Sequence, residues 1–427
     1  MIKKIQVKNG IREAVLIRSL NRIPQNNLIV QKIINDVIKF GDNAIIKYTK
    51  KYDNVKIDSI VVDKEEFKKA HQEVTVNQLN SLKKSKKLLE KNEKMLLRRL
   101  TGIISSINGV KIERIVKPID SVGCYVPGGK ARYPSTLIMC AVPAIIANVR
   151  RIAVVSPPMK NGNIDPLTLV AADICGIDEV YKVGGAQAVA ALAYGTETIK
   201  KVDKIVGPGG LFVNIAKSFV SNKTDIDMIA GPTELLIYAD STSDPKLVVK
   251  DLISQAEHSQ DTICGVVTTS NDMIGKLEKE IDRALNSSLP RLNIVSTSFK
   301  NNAFIALCNT EEKAILFINK LAPEHLEVLT KNPKKIASEI STAGVILLGN
   351  YSPSSASDYC LGSNHVLPTM ELGKSKSSLS ILHFVKLVNH ITVTRRGLQS
   401  VQNCVKELAF AEGLPNHYYA IEERFKN

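Results

Sequence analysis

The stretch LAPEHLEVLT, residues 321–330, sets the acid Glu324 directly beside the imidazole of His325, after Pro323 and between apolar residues on both sides. A carboxylate and an imidazole in apolar surroundings are suited to moving protons near neutral pH. The spacing predicts a helix opening at Pro323, the first helical position, where proline is well tolerated. Adjacent residues on such a helix diverge by about 100° and do not face one another, so the pair is expected to be two separate tools and not an ion pair.

Other polar residues stand in suggestive company. Gln255 and His258 lie three apart in LISQAEHS, which puts them on one face of a helix. Asp358 and His365 flank a glycine-containing loop in SASDYCLGSNHVLP, and His417 follows Glu412 in AEGLPNHYY, where Pro415 signals a helix ending. Imidazole and carboxylate donors suit Zn²⁺, which keeps an open position when it is catalytic. From the residue types alone, ordinary hydrogen bonding stays open for each of them. His71, His383 and His390 sit in mixed or polar surroundings and read as surface or packing residues.

These residues need a scaffold. Residues 122 to about 222 repeat one grammar, a short β-rich run, a Gly or Pro turn, then a small-residue helix: VGCYVPGG, RIAVVSPP, EVYKVGG and DKIVGPGG open the units. Four βα units predict a parallel sheet with ligands bound at the carboxyl ends of its strands. Neither G-x-G-x-x-G nor G-x-x-x-x-G-K-[ST] occurs, so GGAQA (184–188) and GPGG (207–210) offer only backbone amides, equally suited to tight turns. A second alternation, ELLIYAD to GVILLG, predicts another α/β body. The fold class is therefore α/β, two Rossmann-like domains with mainly parallel sheets plus a small helical C-terminal tail. The expected division is 20–124 with 234–377 as a discontinuous domain, 125–233 inserted as the cofactor domain, and 1–19 with 378–427 as a helical dimerisation tail.

Composition narrows the class. A chain of 427 residues with 44% apolar and 23% charged residues supports two or three domains of a globular enzyme. No signal peptide or membrane span is expected, since MIKKIQVKNG lacks an apolar core and the longest apolar run is broken by Pro143. Seven scattered cysteines without C-x-x-C spacing indicate neither disulfides nor a thiolate zinc site, and point to a reducing, cytoplasmic setting. The formal charge of +15 is densest in SLKKSKKLLEKNEKMLLRRL, residues 81–100. Leu82, Leu89 and the flanking Leu79, Leu96 and Leu100 form a helical stripe there, so the lysines are its solvated face and no nucleic-acid partner is expected.

The stretches VGCYVPGG, VGGAQAVAALAYGTE, KVDKIVGPG, IDMIAGPTE, SDPKLVVKDLISQAEHS, LAPEHLE, DYCLGSNHVLPT and AEGLPNH, in this order, make the chain resemble the histidinol dehydrogenase family over nearly its whole length. The resemblance implies oxidation of L-histidinol through histidinal to L-histidine by two NAD⁺ at a site holding one Zn²⁺. By match to the family motifs, Gln255, His258, Asp358 and His417 would hold the metal, with Glu324 and His325 as the acid–base pair. Tyr125, Gln187 and Gly210 fall at cofactor positions. Thr233, His365 and Glu412 fall at substrate positions, which Gln255, His258, His325, Asp358 and His417 share. The family is a homodimer whose C-terminal tail reaches the partner's site. Three positions depart from the family pattern: Gly210 replaces an asparagine, Thr233 a serine and Ser357 a glycine. Retention of His365 and Glu412 favours histidinol over another alcohol, such as a sulfonated diol.

Overall fold

The computed structural model describes residues 2–19, 27–128 and 132–426. The expected boundary at residue 20 and the last glycine of VGCYVPGG lie outside the described residues. The chain opens with β1 (Lys3–Val7) and α1 (Ile11–Ser19), then α2 (Leu28–Tyr52), α3 (Lys64–Glu73) and α4 (Val76–Leu100). Capping boxes, Asp63 with Glu66 and Thr75 with Gln78, fix where α3 and α4 begin. In α4, Leu82 and Leu89 are buried, with Leu79, Leu96 and Leu100 packed against the same cluster. Lys83, Lys84, Lys87 and Lys91 are exposed, as a solvated face requires.

The hairpin β2 (Ile103–Ile107) and β3 (Val110–Pro118) leads into the expected βα units. These are β4 (Ser121–Tyr125), α5 (Pro134–Ile146), β5 (Arg151–Ser156), α6 (Pro166–Ile174), β6 (Val180–Lys182), α7 (Gly185–Tyr194), β7 (Lys204–Val206) and α8 (Leu211–Val220), followed by β8 (Asp225–Ile226). The strands form a five-stranded parallel sheet in the order β6-β5-β4-β7-β8. Residues 186–193 of α7 are all buried, and a helix apolar all round must be covered on its outer side as well as its inner one. The cover comes from the N-terminal helices: α2 packs on α7 and α8, α3 on α6, and α4 on α5. This corrects the expected grouping of 20–124 with 234–377, which would place these helices on the second sheet. The βα helices were themselves the apolar surface in need of a partner.

The second body runs β9 (Glu234–Ala239), α9 (Pro245–Ala256), β10 (Ile263–Thr268), α10 (Asn271–Leu285), α11 (Leu292–Asn302), β11 (Phe304–Cys308), α12 (Glu311–Leu321), β12 (His325–Leu329), α13 (Pro333–Ser338), β13 (Val345–Leu348) and α14 (Ser354–Ser357). Its six strands are parallel, in the order β1-β11-β10-β9-β12-β13. Because β1 pairs with β11 and α1 packs on α12, residues 3–19 belong to this sheet and not to a terminal tail. Strand pairing satisfies backbone groups that β11 would otherwise leave at an open edge.

LAPEHLEVLT is not a helix from Pro323. Helix α12 stops at Leu321, and Ala322 takes the left-handed conformation (φ 49°) and donates its N–H to the Ile318 carbonyl. A proline just after such a helix end is a common stop. His325–Leu329 then forms a wholly buried strand between β9 and β13. His258 likewise lies past the end of α9, whose C-cap is Glu257, so it shares no helical face with Gln255.

The C-terminal segment is not wholly helical either. Its strand β14 (Val385–Val393) lies antiparallel to β3 and completes a three-stranded sheet, β14-β3-β2. VKLVNHITV is rich in β-branched residues, which fit a pleated surface. Then come α15 (Arg395–Ala411), packed on α16 (Pro415–Glu422). The helix ending expected in AEGLPNHYY is the end of α15 at Ala411, with Gly413 at φ 73°, and Pro415 then opens α16. Ile104, Ile107, Leu387 and Ile391 on the small sheet are exposed.

Candidate active site

A cavity of about 470 Å³ is lined by Pro127 and Gly207–Gly210, which follow β4 and β7, and by Thr233, Gln255, Glu324 and His325, which lie at or before the starts of β9, β10 and β12. The carboxyl edge of the five-stranded sheet thus meets the amino edge of the six-stranded one. The glycine turns are where open α/β sheets bind ligands; the acid–base residues come from the opposite kind of edge.

Glu324 and His325 are both nearly sealed from solvent, 6% and 2% exposed. The Glu324 carboxylate accepts hydrogen bonds at Oε2 from the Thr233 hydroxyl (2.7 Å) and the Glu234 amide (2.8 Å). His325 Nδ1 lies 3.1 Å from the Glu234 carbonyl, which makes Nδ1 the donor and leaves Nε2 as the nitrogen that gains or loses a proton. Nε2 is buried without a hydrogen-bond partner, 3.5 Å from Asp358 Oδ1. Contrary to the helical expectation, the two side chains meet, with His325 Nδ1 3.6 Å from Glu324 Oε2. Burial disfavours the charged imidazole, but the adjoining carboxylates of Glu324 and Asp358 outweigh it and hold the ring's pKa well above its ordinary value.

Asp358, the C-cap of α14, also lies 4.0 Å from His258 Nε2. Burial works against its charge, yet the imidazoles of His325, His365 and His258 keep its pKa below the usual carboxylate range. Gln255 is buried and donates its Nε2 to the Thr233 hydroxyl (2.7 Å), so the amide oxygen is left for another partner. The Thr233 hydroxyl thus links Gln255 to Glu324, and the methyl of threonine does not prevent it. His365 donates from Nδ1 to the Asp358 carbonyl (2.6 Å) and has Nε2 near Thr136 Oγ1 (3.3 Å); burial lowers its pKa. Ser357 pairs its hydroxyl with Ser363 at 2.9 Å, which accommodates the extra oxygen at this position.

Among the described residues no group of three His, Cys, Asp or Glu side chains is arranged to hold a metal ion. Three donors do open on the one cavity: the Gln255 amide oxygen, His258 Nε2 and the Asp358 carboxylate. An oxygen–nitrogen–oxygen set fits a borderline divalent cation such as Zn²⁺. Tetrahedral zinc takes one ligand more than these three. His417 is exposed on α16 and Glu412 is exposed at the C-cap of α15, and neither lines the cavity.

On the glycine side, Gly207 has φ +111° and an added Cβ would sit 2.2 Å from the Tyr125 carbonyl, so only glycine fits that turn. Below it, Lys217 forms a fully buried ion pair with Asp227; Lys217 Nζ donates to the Gly207 carbonyl (3.0 Å) and Asp227 Oδ2 accepts from the Gly207 amide (2.7 Å). Gly210, the N-cap of α8, has open space where a Cβ would go. Tyr125 and Gln187 do not line the cavity. Tyr125 is buried at the end of β4, its hydroxyl accepting from the Gly185 amide (3.1 Å), and burial pushes its pKa up to about 12. Gln187 is buried two residues further along α7.

Glu234, Lys217 and Asp227 did not stand out in the sequence. Their signal was available: Glu234 opens the wholly buried strand ELLIYA, and an acid in such a run needs a dedicated partner. It accepts from the amides of Glu324 (3.3 Å) and Met370 (3.0 Å), tying two walls of the cavity together.

A sealed acid–base pair in a cleft between two parallel α/β sheets is the equipment of an oxidoreductase of the dehydrogenase type. A model of the histidinol dehydrogenase family matches residues 17–425. Histidinol dehydrogenase of Clostridium acetobutylicum is 45% identical over 93% of this chain and 92% of its own, and that of Methanocaldococcus jannaschii 39% identical over 100% and 99%. The crystal structure of histidinol dehydrogenase from Elizabethkingia anophelis superposes with a TM-score of 0.92 at 34% identity, covering 100% of this chain and 98% of that one. The chain belongs to the histidinol dehydrogenase family.

Proposed function

We propose that the chain carries out the final step of histidine biosynthesis, oxidising L-histidinol through L-histidinal to L-histidine with two NAD⁺ as hydride acceptors. The observation that carries this is the convergence of Glu324, His325, His365 and the Gln255–His258–Asp358 donors on one cavity between the sheets. Oxidising an alcohol removes the hydroxyl proton as hydride leaves. His325 Nε2, its ring fixed through Nδ1, takes that proton. The aldehyde must be hydrated before a second hydride can leave, and the Glu324 carboxylate takes a proton from the attacking water. His325 then serves the second oxidation.

Gln255, His258 and Asp358 would hold Zn²⁺, which supplies a template for the substrate's imidazole and amine. The fourth ligand, His417, and the substrate contact Glu412 then come from a second copy of the chain, the exposed C-terminal segment of each protomer completing its partner's site. No helix among the described residues is long and apolar enough to cross a membrane. All seven cysteines are free, which fits a reducing, cytoplasmic setting.

Purified protein given histidinol, NAD⁺ and Zn²⁺ is expected to yield two NADH per histidinol consumed; one or none refutes the four-electron reaction. In the same assay, mixing inactive His325→Asn subunits with inactive His417→Ala subunits should restore activity, and no recovery on exchange would rule out shared sites. Gly210→Asn meets no steric obstacle. It is expected to lower the Michaelis constant for NAD⁺ severalfold, about what one added hydrogen bond of ~1 kcal/mol gives. An unchanged constant would mean that other contacts already serve the cofactor.

A further inference from the structure

Three buried side chains hold the glycine turn after β7, and Lys217 and Asp227 account only for Gly207. The third is Asn214, 2% exposed and one helical turn into α8 from Gly210. Its Nδ2 donates to the carbonyls of Gly209 (2.6 Å) and Gly210 (3.3 Å), and its Oδ1 accepts from the Ala230 amide (3.0 Å). Two acceptors on one side and a donor on the other fix which way the amide group faces. Gly210, the N-cap of α8, has no side chain with which to cap the helix, so the turn is ordered by a group one turn behind it.

The bonds decide which main-chain groups remain for a ligand. The carbonyls of Gly207, Gly209 and Gly210 all accept from side chains of α8. The amides of Gly209 and Gly210 have no protein acceptor among the described residues, and both glycines line the cavity. An anion is received by N–H groups and repelled by carbonyl oxygens. On the other side of Asn214, Ala230 and Gly231 line the same cavity and lead to Thr233, whose hydroxyl bonds Glu324. One buried amide thus joins the glycine turn to the segment that supports the acid–base pair.

We infer that Asn214 is a positioning residue for the cofactor: it holds the carbonyls of Gly209 and Gly210 toward the interior, leaves the amides of the turn for the NAD⁺ pyrophosphate, and anchors the turn against the Thr233 segment. The inference rests on the proposed use of NAD⁺ at this turn. Few residues could serve. Aspartate has the same shape and keeps an acceptor for Ala230 but has no donor for the carbonyls. Leucine is close in size and offers neither, and serine reaches only the carbonyl four residues back, that of Gly210.

NADH binding to the purified protein would be read by fluorescence titration, beside histidinol binding to the zinc-loaded protein by calorimetry. Asn214→Asp and Asn214→Leu are expected to weaken NADH about tenfold or more, the worth of the two bonds to the turn, while histidinol binding stays within about twofold. The Michaelis constant for NAD⁺ should rise in step and that for histidinol should not. Because leucine is neutral, its loss cannot come from repulsion between NADH and a new charge. Should Asn214→Leu not fold, the neutral Asn214→Ser should fall between wild type and Asn214→Asp. A folded variant that binds NADH as wild type does overturns the positioning role. So does equal weakening of NADH and histidinol, which is what a general loss of structure gives. A wild-type protein that binds no NADH overturns the proposed cofactor turn and the inference with it.

Discussion

Turnover of histidinol should fall roughly 100- to 10,000-fold in His325→Asn, the range a positioned proton carrier contributes, with histidinal affected as strongly as histidinol. The imidazole is anchored through Nδ1 to the Glu234 carbonyl, and Asn can keep a donor there while offering no base at the Nε2 position. Glu324→Gln should act differently. Its amide oxygen can still accept from the Thr233 hydroxyl and the Glu234 amide, so the geometry survives and only proton acceptance is lost. The loss should be larger with histidinal as substrate than in a single-turnover measurement of the first hydride transfer. Equal losses at both steps would refute the division of labour. The 3.6 Å approach of the two side chains sharpens the experiment, since a purely electrostatic effect on His325 would slow both steps alike.

Lys217→Met should be the most destabilising of the substitutions considered. It removes the cation from a pair that is fully buried on both sides, and an orphaned buried charge costs about 3–5 kcal/mol. For a body of this size that is a loss of roughly 5–15 °C in melting temperature, read by calorimetry. Lys217→Met with Asp227→Asn should recover much of it, because no charge is left buried and the asparagine oxygen can still accept from the Gly207 amide. A double variant no more stable than Lys217→Met would show that packing, not charge, dominates. Since the pair holds both backbone groups of Gly207, the Michaelis constant for NAD⁺ should rise in the single variant more than turnover falls.

Much of the scaffold was legible. The βα units of residues 122–222 and the stripe of α4 follow from glycine turns and leucine spacing, both local signals. What escaped depends on distant partners. HLEVL reads as helix or strand until β9 and β13 are known to flank it, and short apolar runs carry no deciding period. The N-terminal helices were assigned to the wrong sheet because amphipathicity says that a face is buried, not against what. At the site, the residues around Glu324 were found by type and neighbours. Glu234 was passed over because an acid within an apolar strand was taken as part of the strand. Glu412 and His417 stay outside the cavity of a single chain, where no local pattern could place them.

The meeting of a carboxyl edge with an amino edge has an electrical consequence. Helix α8 starts at the cavity, so its free amides present about half a positive charge beside Gly210, whereas α9 and α12 end there, and their free carbonyls present comparable negative charge near Gln255 and Glu324. The cavity is a dipole written in the main chain. An anion and a cation entering together are stabilised in one order and opposed in the other. The backbone thus imposes polarity on whatever binds, before any side chain selects its chemistry.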